Sequence, residues 1–138
     1  MYAQNAQDLL TKIATVPALS ASVGLSVGGQ TPDPAMSKIP LPAAWVLLAD
    51  DIAKDPDTGL IPMIQHLNLT YVVMIYLPYI GQSDLLTNQY PLLEAVRSAI
   101  HGTTAPSGFR WKYQKAKLVL INPGRIAYEQ RYTLDAAA

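Results

Sequence analysis

The last third of the chain constrains its fold most strongly. A helical pattern over residues 91–101 ends at Gly102, and two alternating segments follow at 115–121 and 126–134. Proline and glycine occupy the two central positions of the link at 122–125, as in a type II turn. Because alternation at period two is typical of strands with one covered face, these segments predict a β-hairpin beside a helix.

The remaining patterns predict further strands and one more helix. Residues 5–14 predict an amphipathic helix with Asn5 at its N-cap, and residues 18–27 contain a candidate strand. The apolar run at 43–49 predicts a buried strand, and residues 67–77 alternate more clearly than any other segment. We therefore expect one domain over residues 1–138, with an α+β fold: an antiparallel or mixed β-sheet with helices packed mainly on one face.

A long segment near the N-terminus lacks a helix or strand pattern. Residues 15–42 are rich in alanine, serine, glycine and proline, and the part at about 24–42 predicts a long loop or arm. Loops of this length are uncommon in compact domains unless they are functional or disordered. Two interpretations stay open, an arm that orders on a partner and a surface loop.

The composition indicates a folded, non-membrane domain. Half of the 138 residues are hydrophobic and 14% are charged, whereas disordered chains combine low hydrophobicity with high charge. The absence of cysteine excludes disulfides and thiolate metal sites. The apolar run at 67–77 is shorter than the ~20 residues that a bilayer requires, and the N-terminus has no signal-peptide pattern.

Charge is distributed unevenly along the sequence although the net charge is zero. Residues 1–93 contain three basic and seven acidic side chains, and residues 94–138 contain seven basic and three acidic ones. This predicts an acidic and a basic surface that meet between copies of the protein, while chance placement of solvated charges is the alternative. The candidate contact residues are Asp50, Asp51, Asp55, Asp57, Lys115, Lys117, Arg125 and Arg131.

The sequence contains no recognisable catalytic or metal-binding set. His66 and His101 are the only histidines, and neither has a partner at ligand spacing. The acidic stretch at 50–57 departs from a calcium loop because it lacks the terminal bidentate glutamate, and no glycine-rich phosphate loop is present. We predict that the chain is not an enzyme and uses no cofactor or metal.

Residues 110–115 interleave basic and aromatic side chains, a pattern found in proteins that stack nucleobases. However, the sequence pI of about 6.7 contrasts with the strongly basic footprint of most nucleic-acid binders. The balance disfavours DNA binding by this patch.

Several local patterns together resemble a known family. They are the apolar run at 42–47 before the acidic stretch, the helix at 91–97, the isolated Trp111, and the sequence Tyr-Glu-Gln-Arg-Tyr at 128–132. In this order they are similar to the small tail terminator proteins of tailed bacteriophages, such as those of phages Mu and lambda. The resemblance spans residues 42–134, and the arm and acidic stretch match no family motif.

The resemblance implies a structural virion protein with a mechanical role. Such proteins form a ring, commonly of six subunits, that caps the tail tube, stops its polymerisation and provides the attachment surface for the head or neck. The implied partners are further copies of the chain, the tail tube protein, a neck or head-completion protein and, in contractile tails, the sheath protein. DNA would pass through the lumen without specific contacts, and the protein would reside in the virion after assembly in the bacterial cytoplasm.

Three alternatives stay open. A head–tail joining protein or another neck ring protein belongs to the same class and differs in which partner it binds directly. A small-ligand-binding α/β domain would bind its ligand saturably as a monomer. A hydrolase would turn over generic esters or phosphates and depend on His66 or His101.

Overall fold

The computed structural model describes residues 1–19, 23–25, 41–53 and 66–137, with residues 23–25 described by their backbone alone. These described residues form two main helices and five strands. In chain order they are α1 (Tyr2–Ala14), β1 (Val23–Leu25), β2 (Ala43–Ala53), β3 (His66–Pro78), α2 (Tyr90–Ile100), β4 (Lys112–Asn122) and β5 (Arg125–Ala137). A 3-10 turn at Pro17–Leu19 follows α1, and helical turns at Gln82–Asp84 and Leu85–Gln89 lead into α2.

The strands form one mixed sheet in the order β1-β2-β3-β5-β4. β2, β3, β5 and β4 pair antiparallel, and the short β1 pairs parallel with β2 at Ala44–Val46. The sheet and its two helices confirm the predicted α+β fold.

Both helices cover the same face of the sheet. The alternating residues of β3 that the sequence grouped on one side are buried in one cluster with Leu9 and Ile13 of α1 and Val96 and Ile100 of α2. Each such side chain contributes about 1.5–3 kcal/mol when it is removed from water. The cluster members of β3 are Leu67, Leu69, Tyr71, Val73, Ile75 and Leu77.

The helix termini differ in part from the sequence prediction. α1 begins at Tyr2, and Asn5 is a buried residue inside the helix, so its predicted role as N-cap is wrong. Asn5 lies on the same stripe as Leu9 and Ile13, which faces the sheet, and its backbone N–H donates to the Met1 carbonyl. At the end of α2, Gly102 has a φ of 79° just after the C-cap His101, as the sequence predicted.

β2 continues farther than the sequence indicated. Asp50 and Asp51 belong to the strand and not to an acidic loop, because they pair with Thr70 and Leu69 of the long neighbour β3. The ladder shifts register between Leu48 and Asp50, which marks a β-bulge.

The predicted C-terminal hairpin is present and longer than expected. β4 and β5 pair from Lys112 opposite Thr133 to Asn122 opposite Arg125. Two residues connect the strands, and Gly124 has a φ of 79°, which a type II turn requires at this position.

No helix in the described ranges is long and apolar enough to cross a membrane.

Candidate interaction surface

The described residues contain no group of three or more histidine, aspartate or glutamate side chains that could hold a metal ion. His66 is exposed at the start of β3. The Nδ1 atom of His101 accepts a 3.0 Å hydrogen bond from the Tyr113 backbone N–H, which ties the end of α2 to β4. The two histidines therefore lie at separate places in the fold.

One shallow groove lies beside α1. Asp8 is the only charged residue of its lining, and its Oδ2 atom already accepts hydrogen bonds from Trp111 Nε1 at 2.9 Å and Lys12 Nζ at 2.5 Å. The one carboxylate of the groove lining is therefore already bonded within the chain. The groove lining consists of Ala3, Gln4, Gln7, Asp8, Thr11 and Pro106.

The aromatic residues of the 110–115 segment do not form a stacking platform. Trp111 is fully buried and packs edge-on to Tyr71, with ring centroids 5.4 Å apart. The Arg97 guanidinium lies 4.1 Å from the centroid of the Tyr113 ring, and Tyr132 packs edge-on against the same ring. These contacts occupy the rings that a nucleobase would need.

The face of the sheet opposite α1 and α2, here called the open face, carries the candidate basic residues. The strand register shows which residues lie on this face, because the side chains of directly paired residues point to the same face of the sheet. In its two central rows the open face is apolar on β2 and β3 and charged on β5 and β4. Its two central rows are Trp45, Met74, Glu129 and Lys117, and Leu47, Val72, Arg131 and Lys115.

The four basic candidates differ in how far they are already bonded. Arg131 is half-buried, and its Nε atom donates to the Glu129 carboxylate. Arg125 is half-buried too, and its Nη1 atom has no acceptor in the described part of the chain. Lys115 and Lys117 are exposed on β4 and form no ion pair with any residue that the structure describes. These two lysines are the basic candidates most accessible to another molecule.

The described acidic candidates lie near the end of β2. Asp50 is exposed on the open face, where it pairs with Thr70. Asp51 points to the helix side, and its carboxylate accepts a hydrogen bond from the Tyr2 hydroxyl, which raises the pKa of Tyr2. Asp55 and Asp57 lie outside the described residues.

The fold separates the acidic and basic candidates within one subunit. β3 and β5 lie between β2 and β4, so the strand axes are roughly 14 Å apart at the usual spacing of about 4.8 Å. The described acidic candidates thus lie at the β2 edge of the sheet, and Lys115 and Lys117 lie at its β4 edge. Asp50 cannot form a direct ion pair with Lys115 or Lys117 of its own chain at this separation.

The sequence reasoning missed that β4 is an edge strand of the described sheet and has exposed apolar side chains. Leu118 and Val119 are each 39% exposed, and Ile121 is 71% exposed. Lysines next to such residues are a common device by which edge strands avoid indiscriminate pairing. The two lysines before this apolar run were therefore a usable signal.

No protein-family model matches the sequence, and no curated protein matches it. A solved structure described as the virion of a native gene transfer agent (GTA) particle contains a chain with a similar fold. The superposition has a TM-score of 0.61 and covers 100% of this chain and 95% of the other, at 14% sequence identity. At this identity the similarity establishes the fold alone.

Proposed function

We propose that the chain is a structural protein of a phage-like virion and acts there as a ring-forming tail terminator. The observation that carries the proposal is the fold shared over the whole chain with a component of a gene transfer agent virion. The patterns at 42–134 that resemble tail terminators support the finer assignment.

Two features of the molecule support ring formation. A ring requires a heterologous contact, in which two different surfaces of one subunit meet and the rotation closes. This chain has two such surfaces at opposite edges of its sheet: the acidic C-terminal end of β2 and the basic strand β4. A subunit with complementary sides can bind one neighbour through each of them.

The proposed action is mechanical. The ring binds the last ring of the tail tube and so prevents addition of further tube subunits, while its opposite surface receives a neck or head-completion protein. In a contractile tail it also contacts the sheath. DNA passes through the lumen without specific contacts, and no catalytic step, metal or cofactor takes part.

Polymerisation of the cognate tube protein in the presence of this chain tests the proposal. The chain contains no cysteine, so a Ser98→Cys variant carries a single label on the exposed surface of α2. We expect electron microscopy to show label at one end of each tube and shorter tubes as more chain is added.

Free growth of unlabelled tubes would contradict the tail terminator. Failure to bind tubes together with direct binding to head-completion proteins would move the assignment to a neck ring protein. Saturable binding of a small molecule by a monomer would instead indicate the ligand-binding alternative.

A further inference from the structure

β4 has an unpaired backbone edge within the described residues. It is the outermost strand of the sheet, and β5 on its inner side is its one described strand neighbour. All of its 11 residues except Tyr113 and Leu120 are exposed. A long exposed edge with apolar side chains is a template for pairing with another strand.

The C-terminal part of β2, residues 47–53, forms a second unpaired edge in the described structure. The described strand β1 pairs with the N-terminal part of β2, at Ala44–Val46. Beyond that point the last six residues of β2 are exposed, including the apolar Leu48 at 38% and Ile52 at 53%. This edge thus combines free backbone groups with accessible apolar side chains, as β4 does.

The two edges carry opposite charges. β4 contains three lysines and no acidic residue, whereas β2 contains two aspartates and no basic residue. Opposite charges across neighbouring strands stabilise a sheet, and like charges directly opposite each other destabilise it. A contact between two β4 strands would place lysines against lysines, so the charges favour β4 with β2.

The strand directions also permit this contact. Because β2, β3, β5 and β4 are successively antiparallel, β2 and β4 run in opposite directions within one sheet. A second copy in the same orientation would therefore add its β2 antiparallel to β4 and keep its helices on the same side. Asp50 of that copy would then share the open face with Lys115 and Lys117.

We infer that neighbouring copies of this chain join head to tail through their sheets, with β4 of one subunit pairing with residues 47–53 of β2 in the next. Lys115 and Lys117 then lie against Asp50 of the neighbour, and the exposed apolar side chains beside them, such as Leu118 and the neighbour's Leu48, are covered together. This inference rests on the proposed ring-forming function, because it defines the contact from which the ring is built.

Cysteine cross-linking tests the contact. Asp50→Cys is combined with Lys115→Cys or Lys117→Cys, since paired residues in adjacent strands come close enough for a disulfide only when they are nearly opposite. We expect a mixture of Asp50→Cys with one of the lysine variants to give a covalent dimer under mild oxidation. A chain carrying both cysteines should give a ladder of larger species.

Matched controls separate the contact from random collision. Each single variant alone and a mixture of Asp50→Cys with Ser98→Cys should stay largely monomeric on denaturing gels. Efficient cross-linking of Lys117→Cys to itself would indicate a two-fold contact and overturn the inference. Absence of cross-links with both lysine positions, in the free protein at high concentration and at tube ends, would overturn it as well.

The tube assay distinguishes failure of the contact from failure of the function. If the cysteine variants cap tubes but form no cross-links, the terminator function is supported and this contact is excluded. If cross-linked rings form but do not cap tubes, the contact is supported and the terminator function is excluded. Thermal unfolding of each variant verifies that these exposed substitutions leave the fold intact.

Discussion

At the scale of single residues, Trp111 connects parts of the molecule that are far apart in sequence. Its indole packs on Tyr71 of β3, and its Nε1 atom donates to Asp8 of α1. Lys12 donates to the same carboxylate and to the Thr104 carbonyl at 2.9 Å. The sequence analysis noted Trp111 as an isolated tryptophan. Local patterns could not predict its hydrogen bond to Asp8, because the two residues are 103 positions apart in the sequence.

We expect Trp111→Phe to lower the free energy of unfolding by about 1–3 kcal/mol, because it removes a buried hydrogen bond and part of a packed ring. Urea denaturation measures the change. Phe109→Leu alters a 40%-exposed side chain of the same loop and should change stability by less than about 0.5 kcal/mol. Equal free energies of unfolding for Trp111→Phe and the native chain would show that the indole contacts with α1 and β3 do not stabilise the fold.

The buried tyrosines predict loss of stability at alkaline pH. Burial raises the pKa of Tyr71 to about 12 from 10.0, and burial also raises the pKa of Tyr132. Between these values the unfolded chain loses the Tyr71 proton and the folded chain keeps it. Stability is therefore retained below pH 10 and falls as the pH rises towards 12.

Chemical denaturation at several pH values between 9 and 12 tests this expectation, and Tyr71→Phe should make the decline shallower. Tyr79→Phe, at a tyrosine that is 44% exposed, controls for loss of a phenol group. An unchanged slope in Tyr71→Phe would exclude a contribution from this side chain.

At the scale of elements, sequence patterns succeeded where one strand or helix determines its own periodicity. The alternation from Leu67 to Leu77 correctly assigned the covered face of β3, and residues 122–125 correctly placed the hairpin turn. The extension of β2 through Asp50 and Asp51 was missed, because it depends on pairing with β3. Strand order, and with it the edge position of β4, likewise arises from contacts between distant segments.

The hairpin turn gives an element-scale prediction. We expect Gly124→Ala to cost about 1–2 kcal/mol, since an L side chain is strained at a φ of 79°. Apart from the glycine and its two chain neighbours, no described atom lies within 4 Å of a Cβ built at this position, so the cost comes from the local backbone conformation and not from a clash with packed residues.

Gly124→Asn provides the matched comparison, because asparagine tolerates the left-handed region better than alanine. Thermal unfolding should rank the native chain above Gly124→Asn and Gly124→Asn above Gly124→Ala. Equal midpoints for the two variants would contradict this origin of the cost.

At the scale of the whole molecule, the charged candidate residues lie toward opposite edges of one sheet. The sequence predicted an acidic and a basic surface, and the structure places Asp50 at the β2 edge and Lys115 and Lys117 at the β4 edge. The pairing of these two edges between copies depends on a second subunit, so local sequence patterns do not determine it.

Reversal of both charges on β4 tests the electrostatic part of the proposal. The double substitution Lys115→Glu and Lys117→Glu should weaken assembly, and Asp50→Lys in the same chain should restore it in part. Added salt should weaken assembly of the native chain, because exposed charges are screened. Sedimentation velocity measures all three effects, and Arg110→Glu supplies a charge change outside β4. Unchanged assembly in the double variant would exclude these lysines as contacts.

The most direct test of the central claim is to locate the chain in assembled particles. Particles are produced with the Ser98→Cys variant, labelled with gold and imaged by electron microscopy. A tail terminator predicts one cluster of label per particle, at the junction between tail and neck. Particles that lack the chain, or that carry it along the full length of the tail, would contradict the account.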